Sequence, residues 1–266
     1  FEDSGDPAAG IVIFVEPVRW LFIIWGFAGF CRGLRRTNLR HRVVLFRWST
    51  LAGALLVIPD LVGRRRLDRR AARLARLIDR IRLTHPNVPV HLVSYSTGTY
   101  VALEACKRLG WPDSIGRLIL LAPSASPRYD WRGLDRSCTS VHNFHSLLDA
   151  INIVGPLLFG ANDRRWGPAG GAVGFRRAPD FVHQRAWRFS DVRIGYFGDH
   201  FTIAAPAFIA RHIAPLLANR IDQRRVVFIN KSTVPVGTAR QLEAFLKKHG
   251  VPNFGIASNP EFLPEG

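Results

Sequence analysis

Apolar residues fall along this chain in two rhythms. Short runs of near-continuous apolar character, LFIIW (21–25), RVVLFRW (42–48), VHLVSY (90–95), RLILLA (117–122) and SVHNFHS (140–146), read as strands. Between the second and third, Leu67, Ala71, Leu74, Ile78 and Ile81 recur at three- and four-residue spacing with arginines between them, which predicts an amphipathic crossover helix. Val101, Ala102, Ala105 and Leu109 supply the buried face of a helix beginning near Thr97, and PAFIARHIAPLLANRI predicts another that ends near residue 221. Such alternation predicts an α/β fold, a mostly parallel sheet with helices on both faces.

Near residue 221 the pattern breaks. A polar joint, DQRR, leads into VVFIN, then a helix expected to bury Leu242, Phe245 and Leu246, then FGIAS: a short βαβ fragment. Composition changes at the same place, with 30 arginines and one lysine up to Ile221 and three of each afterwards. Two units are therefore expected, residues 1–221 and 222–266.

Composition narrows the function classes. With 266 residues, 47% of them hydrophobic, the chain is too apolar for a disordered protein. The apolar stretch from Ala8 to Phe30 approaches membrane-spanning length, but Glu16, Pro17 and Arg19 interrupt it, so no transmembrane helix is expected. The net charge of +17 would ordinarily suggest an anionic partner. Here arginine outnumbers lysine 33 to 4 and is scattered without aromatic interleaving, which argues for compositional bias and against nucleic acid. The basic face of the crossover helix would also suit peripheral contact with a lipid surface. Cys31, Cys106 and Cys138 are far apart and form neither a disulfide framework nor a zinc motif, so a reducing, cytoplasmic setting is expected. The chain contains no methionine, so its true start is expected to lie upstream of FEDSGDPAAG.

The sequence SYSTG concentrates the chemistry. An apolar strand ends at Tyr95 and a helix begins near Thr97, which puts Ser96 on a tight strand-to-helix turn flanked by the small residues Ser94 and Gly98. Such a turn holds a hydroxyl outward where the first N–H groups of the helix favour developing negative charge. A helix-capping serine would look similar, so partners are required. Asp149, after the strand at 140–146, is the candidate acid, with Asp163 as rival and a helix cap as its bland reading. His200, in YFGDHF between a glycine turn and a helix, is the candidate base; His183 and His145 lack that context, and a capping or core histidine is the alternative. In WGFAG, Gly26 and Gly29 would let the backbone turn inward, so that the N–H of Phe27 joins that of Thr97 in an oxyanion hole, unless this is a simple glycine turn.

In the order WGFAG, SYSTG, Asp149, GDH, residues 10–220 resemble the α/β-hydrolase family. The resemblance implies an eight-strand-type sheet, whole or trimmed, and a Ser96, Asp149, His200 triad working through an acyl-enzyme on a small carboxylic ester, with no cofactor and no metal. INIVGPLLFG, Phe27, Phe30 and Trp166 would line an acyl pocket or belong to the core. Two departures stand out: Ser94 replaces the first glycine of the motif, and the 26–30 loop lacks a histidine-glycine pair. A catalytically silent scaffold of the same fold is the alternative.

The tail resembles the UDP-glucose/GDP-mannose dehydrogenase family through KSTVPVGT and SNPEFLPEG. That likeness would put Thr233 beside a nicotinamide and Glu261 and Glu265 in a substrate site, with Pro264 where the family has arginine. No G-x-G-x-x-G turn follows an N-terminal strand, so no NAD site is expected, and an NAD-dependent dehydrogenase fragment is the third reading.

Overall fold

A computed structural model describes residues 5–18, 26–49, 63–218, 226–230, 237–248 and 254–258. The strand expected at 21–25, the joint at 222–225 and Thr233, Glu261 and Glu265 lie outside them. In chain order the main elements are β1 (Asp6–Val15), α1 (Phe27–Arg35), β2 (His41–Phe46), α2 (Arg64–Thr84), β3 (Val90–Tyr95), α3 (Thr97–Cys106), β4 (Ile115–Leu121), β5 (Cys138–His145), α4 (Ala150–Phe159) and β6 (Val182–Ala186). A helix over 206–218, called α5, contains a π turn at Ile209–Ile213. Then come β7 (Val226–Asn230), α6 (Thr238–Lys248) and β8 (Phe254–Ser258).

Six strands pair in the order β2-β1-β3-β4-β5-β6, all parallel. Alternate side chains of the central strands enter two separate cores, which is why these strands read as continuous apolar runs. On one face Ile13, Leu92 and Leu118 meet Leu74 and Ile78 of α2 and Val101 of α3. On the other, Phe14, Val93 and Ile119 meet Phe30 of α1 and Phe208 and Ile213 of α5. α2 ends just before the His85-Pro86 pair, as a proline two residues on favours. Among the described residues no helix is long and apolar enough to cross a membrane.

The strand reading needs two additions. β1 overlaps the start of the interrupted apolar stretch and is an inner strand, paired to β2 and β3. Its opening, DPAAG, has a turn-like composition that hides the strand. β6, VHQRA, lies at the sheet edge with exposed His183 and Gln184, so it lacks an apolar signature. Leu109 falls beyond the end of α3 and only packs against the core from the following turn.

β7 and β8 pair in parallel as a sheet of their own, with α6 as the crossover. Of the three α6 positions expected to be buried, Leu246 is buried and Leu242 half-buried, but Phe245 is 56% exposed.

His91 of β3 is buried at 1% exposure, and burial, with repulsion from His41 and Arg117, pulls it from the ordinary 6.5 down to about 3. His142 on β5 is likewise lowered by burial, beside His183, to about 4. A histidine that stays neutral in the folded state is protonated first in the unfolded one, so its contribution is lost as pH falls from about 6.5 toward these lower values. Denaturant titrations across that window should show His91 costing up to about 5 kcal/mol. His91→Leu should flatten the acid limb relative to wild type; an unchanged slope would contradict the burial argument.

Candidate active site

The carboxyl edge of β3 turns directly into α3 through one residue. Ser96 has φ 52° and ψ −129°, a backbone conformation rare for a side-chain-bearing residue, and its N–H donates to Leu121 O at 3.0 Å across the edge of β4. It is half-buried and caps nothing with its side chain, so the N-cap reading does not describe the hydroxyl. The turn is tight because α3 runs against the end of β1. A Cβ on Gly98 would sit 2.3 Å from Glu16 O and 2.8 Å from Val15 O. Ser94 needs no such freedom: it is fully buried and its hydroxyl donates to Ile119 O at 3.1 Å, an interstrand bond glycine could not make.

Three side chains from the edges of β3, β5 and β6 meet here. Ser96 Oγ lies 3.0 Å from His200 Nε2, and His200 Nδ1 lies 2.8 Å from Asp149 Oδ2 and 3.1 Å from Oδ1. Because Nδ1 faces a carboxylate it carries the proton, which leaves Nε2 free to accept from the serine hydroxyl. Asp149 is 1% exposed and also caps α4, with Oδ1 accepting from Asn152 N at 3.0 Å and Oδ2 from Asn152 Nδ2 at 2.8 Å. The same carboxylate thus caps α4 and faces the His200 ring. Asp163 is committed elsewhere, accepting from Ser126 N at 3.0 Å and Ser126 Oγ at 2.5 Å. His183 stacks near His142 with ring centroids 5.0 Å apart. His145 sits against Gly174.

Several residues that sequence reasoning passed over hold this arrangement. Asn152 also donates to Ala122 O at 3.0 Å, tying the acid to the end of β4. Its signal was present as Asp-x-x-Asn at a helix start. The Tyr95 hydroxyl donates to the carbonyl of His200, and burial, with Asp149 nearby, pushes that phenol up and keeps it protonated. Asp199 shapes the histidine turn by accepting from the N–H groups of Phe201 at 2.8 Å and Thr202 at 3.0 Å. Burial opposes its ionisation, but the Thr202 hydroxyl and these amides outweigh that and hold its carboxyl low. Upstream, Arg185 grips buried Asp191 bidentately at 2.7 and 2.9 Å, fixing the chain between β6 and His200.

Thr97 and Phe27 are the first residues of α3 and α1, so neither amide has an acceptor within its own helix. Gly26, at φ 81°, sits against the Tyr95 ring, where a Cβ would come within 2.9 Å of Cδ1, and near Ala204 just beyond His200. The Phe27 ring packs on Phe14 at 5.4 Å between centroids. Phe30 is core, whereas Trp166 is 72% exposed. Much of α4 faces outward, with Ile151, Val154, Leu157 and Leu158 between 45% and 62% exposed.

The six-stranded unit has an α/β-hydrolase-like fold. It superposes on the acylaminoacyl peptidase of Pyrococcus horikoshii with a TM-score of 0.50 at 9% identity, covering 84% of this chain and 39% of that one. Against lipase BlEst2 of Bacillus licheniformis the TM-score is 0.49 at 14% identity, covering 82% and 95%. These likenesses concern the fold. The profile of the UDP-glucose/GDP-mannose dehydrogenase family, NAD binding domain, matches residues 207–266. UDP-glucose 6-dehydrogenase TuaD of Bacillus subtilis (strain 168) is 50% identical over 42 residues, 15% of this chain. The chain spans only 9% of that enzyme's length. The first residues of the profile match, through Leu217, belong structurally to α5 and pack into the second core.

Gly98→Ala should lose more than about 2 kcal/mol in denaturant titration, because a methyl pressed on two backbone carbonyls must displace β1 or α3. Wild-type stability in this variant would mean that the close approach of α3 to β1 is not a constraint.

Proposed function

We propose that this chain is a serine hydrolase of carboxylic esters, with Ser96 as nucleophile, His200 as general base and acid, and Asp149 as the orienting carboxylate. The observation that carries the reading is the continuous relay from Ser96 Oγ through both His200 nitrogens to Asp149, at 3.0 and 2.8 Å. Its serine stands on a turn with φ 52°.

In the first half-reaction Ser96 Oγ bonds to the ester carbonyl carbon as its proton passes to His200 Nε2. The carbonyl oxygen takes the negative charge, and the N–H groups of Thr97 and Phe27 donate to it, each contributing about 3 to 4 kcal/mol at the transition state. The imidazolium, stabilised by Asp149, then gives the proton to the departing alkoxide, and the acyl group remains on Ser96. Water repeats the sequence with His200 as base and releases the carboxylic acid. No cofactor or metal enters these steps.

The exposed apolar surface of α4, with Phe197 and Phe201 flanking the histidine turn at 55% and 48% exposure, supports an apolar acyl group over a charged one. It also suits substrate presented at a lipid surface. Three buried, unpaired cysteines accord with a reducing compartment such as the cytoplasm. The division into a hydrolase unit, 1–221, and a dehydrogenase-like fragment, 222–266, accounts for the two separate sheets. The fragment's similarity to dehydrogenases favours a second reading only for ancestry. No glycine-rich dinucleotide turn accompanies it, so Thr233, Glu261 and Glu265 are proposed to be without a catalytic role here.

A fluorophosphonate probe should label the wild-type protein and leave Ser96→Ala unlabelled at unchanged folding. Asp149→Asn should lower kcat on p-nitrophenyl esters by about 10⁴ with little change in KM, because the histidine then takes the wrong tautomer. A folded wild-type protein that neither labels nor cleaves these esters would identify the silent scaffold instead.

A further inference from the structure

Away from the Ser96 cluster, four arginines from three separate segments converge on one cavity. Arg128 follows β4, Arg165 follows α4, and Arg176 and Arg177 precede β6; with Tyr129 they line a space of about 500 Å³. That size is within the range of small-molecule sites, roughly 300 to 1,000 Å³, but the lining is cationic where such sites are mostly apolar. The segments are pinned together by backbone: Arg176 N donates to Pro127 O at 2.7 Å. Arg177 holds φ 53°, a conformation glycine would adopt at lower cost.

Elsewhere the arginines that gather find carboxylates. Arg108 meets Asp68 and Glu104, Arg132 meets Asp130, and Arg185 meets Asp191. In this cavity only Arg165 has an acidic neighbour, Asp163 at 3.8 Å, and that carboxylate already accepts from Ser126. Glu104, behind Tyr129, accepts from the Tyr129 hydroxyl at 2.8 Å and faces Lys107 at 3.5 Å and Arg108 at 3.2 Å. Among the described residues, no ion pair joins Arg128, Arg176 or Arg177, all of them exposed, to a carboxylate.

We infer that this cavity binds a soluble polyanion, a small molecule carrying two or more phosphate-type charges. Guanidinium groups present paired N–H donors that match phosphoryl oxygens bidentately, and an occupant with several charges can engage more than one of the four that line this space. The site is not the acyl site: it stands on the loops before β6 and after β4 and depends on none of Ser96, Asp149 or His200. Hydrogen bonds join it to the nucleophile turn. The 161–165 loop that carries Arg165 also presents Asn162, bonded to the Ser124 hydroxyl, and that hydroxyl donates to Ser96 O at 3.2 Å.

The test uses the full chain and inorganic tripolyphosphate in isothermal titration calorimetry, at fixed ionic strength. Saturable binding with one site per chain is expected, weakened about tenfold or more in Arg176→Glu/Arg177→Glu. It should be retained in Arg65→Glu/Arg69→Glu, which removes the same charge from the exposed face of α2. Arg128→Gln, which only neutralises, should weaken it by a smaller factor. Absence of binding, or equal loss in both double variants, would overturn the inference, since +17 of scattered charge would then explain any effect. So would sedimentation with phosphatidate vesicles that is abolished by Arg176→Glu/Arg177→Glu while tripolyphosphate fails to bind, which would make this a lipid-headgroup surface instead.

Discussion

One buried carboxylate governs the geometry of the whole carboxyl edge. Asp149 accepts from the amide and side chain of Asn152 on one side and from His200 on the other, with almost no access to water. An ion so placed is tolerable only when its lone pairs are matched, so the start of α4, the end of β4 through Asn152, and the histidine turn must keep one mutual arrangement. The orientation of the imidazole follows from that arrangement, and with it the line of approach to the serine.

The sheet makes this convergence affordable. Parallel strands in the order β3-β4-β5-β6 deliver the ends of three chain segments to one rim, so residues separated by more than a hundred positions need only short loops to meet. Glu16 plays a comparable part at the neighbouring strand ends, where its buried carboxylate accepts from the amides of Trp48 and Ser49 at 2.9 and 3.2 Å. The charge that interrupts the apolar stretch in the sequence is therefore a clasp between the ends of β1 and β2.

Much of this was legible in the residues because local rules carried it. β3 and β4 announce themselves since both their faces are buried, and the spacing in SYSTG reflects a steric demand that Gly98 bears. The order of serine, acid and base constrained the choice of Asp149 and His200. What stayed hidden depends on the third dimension. Tyr95 matters through a carbonyl 105 positions away, Arg185 through a buried acid in the next turn, and β6 pairs at an edge where one side faces water. The opening of β1 was obscured by small residues and proline. Helical spacing points Phe245 inward, yet its ring is 56% exposed, because spacing alone does not say which face a neighbour covers.

The backbone at position 96 has a further meaning. A side chain held at positive φ costs of the order of 1 to 3 kcal/mol against an ordinary conformation, a large share of the margin by which a domain stays folded. Thermodynamics alone would install glycine there, as it has at Gly26 and Gly195 with φ 81° and 79°. The hydroxyl at this position is therefore held at a cost to the stability of the fold, whatever chemistry it performs.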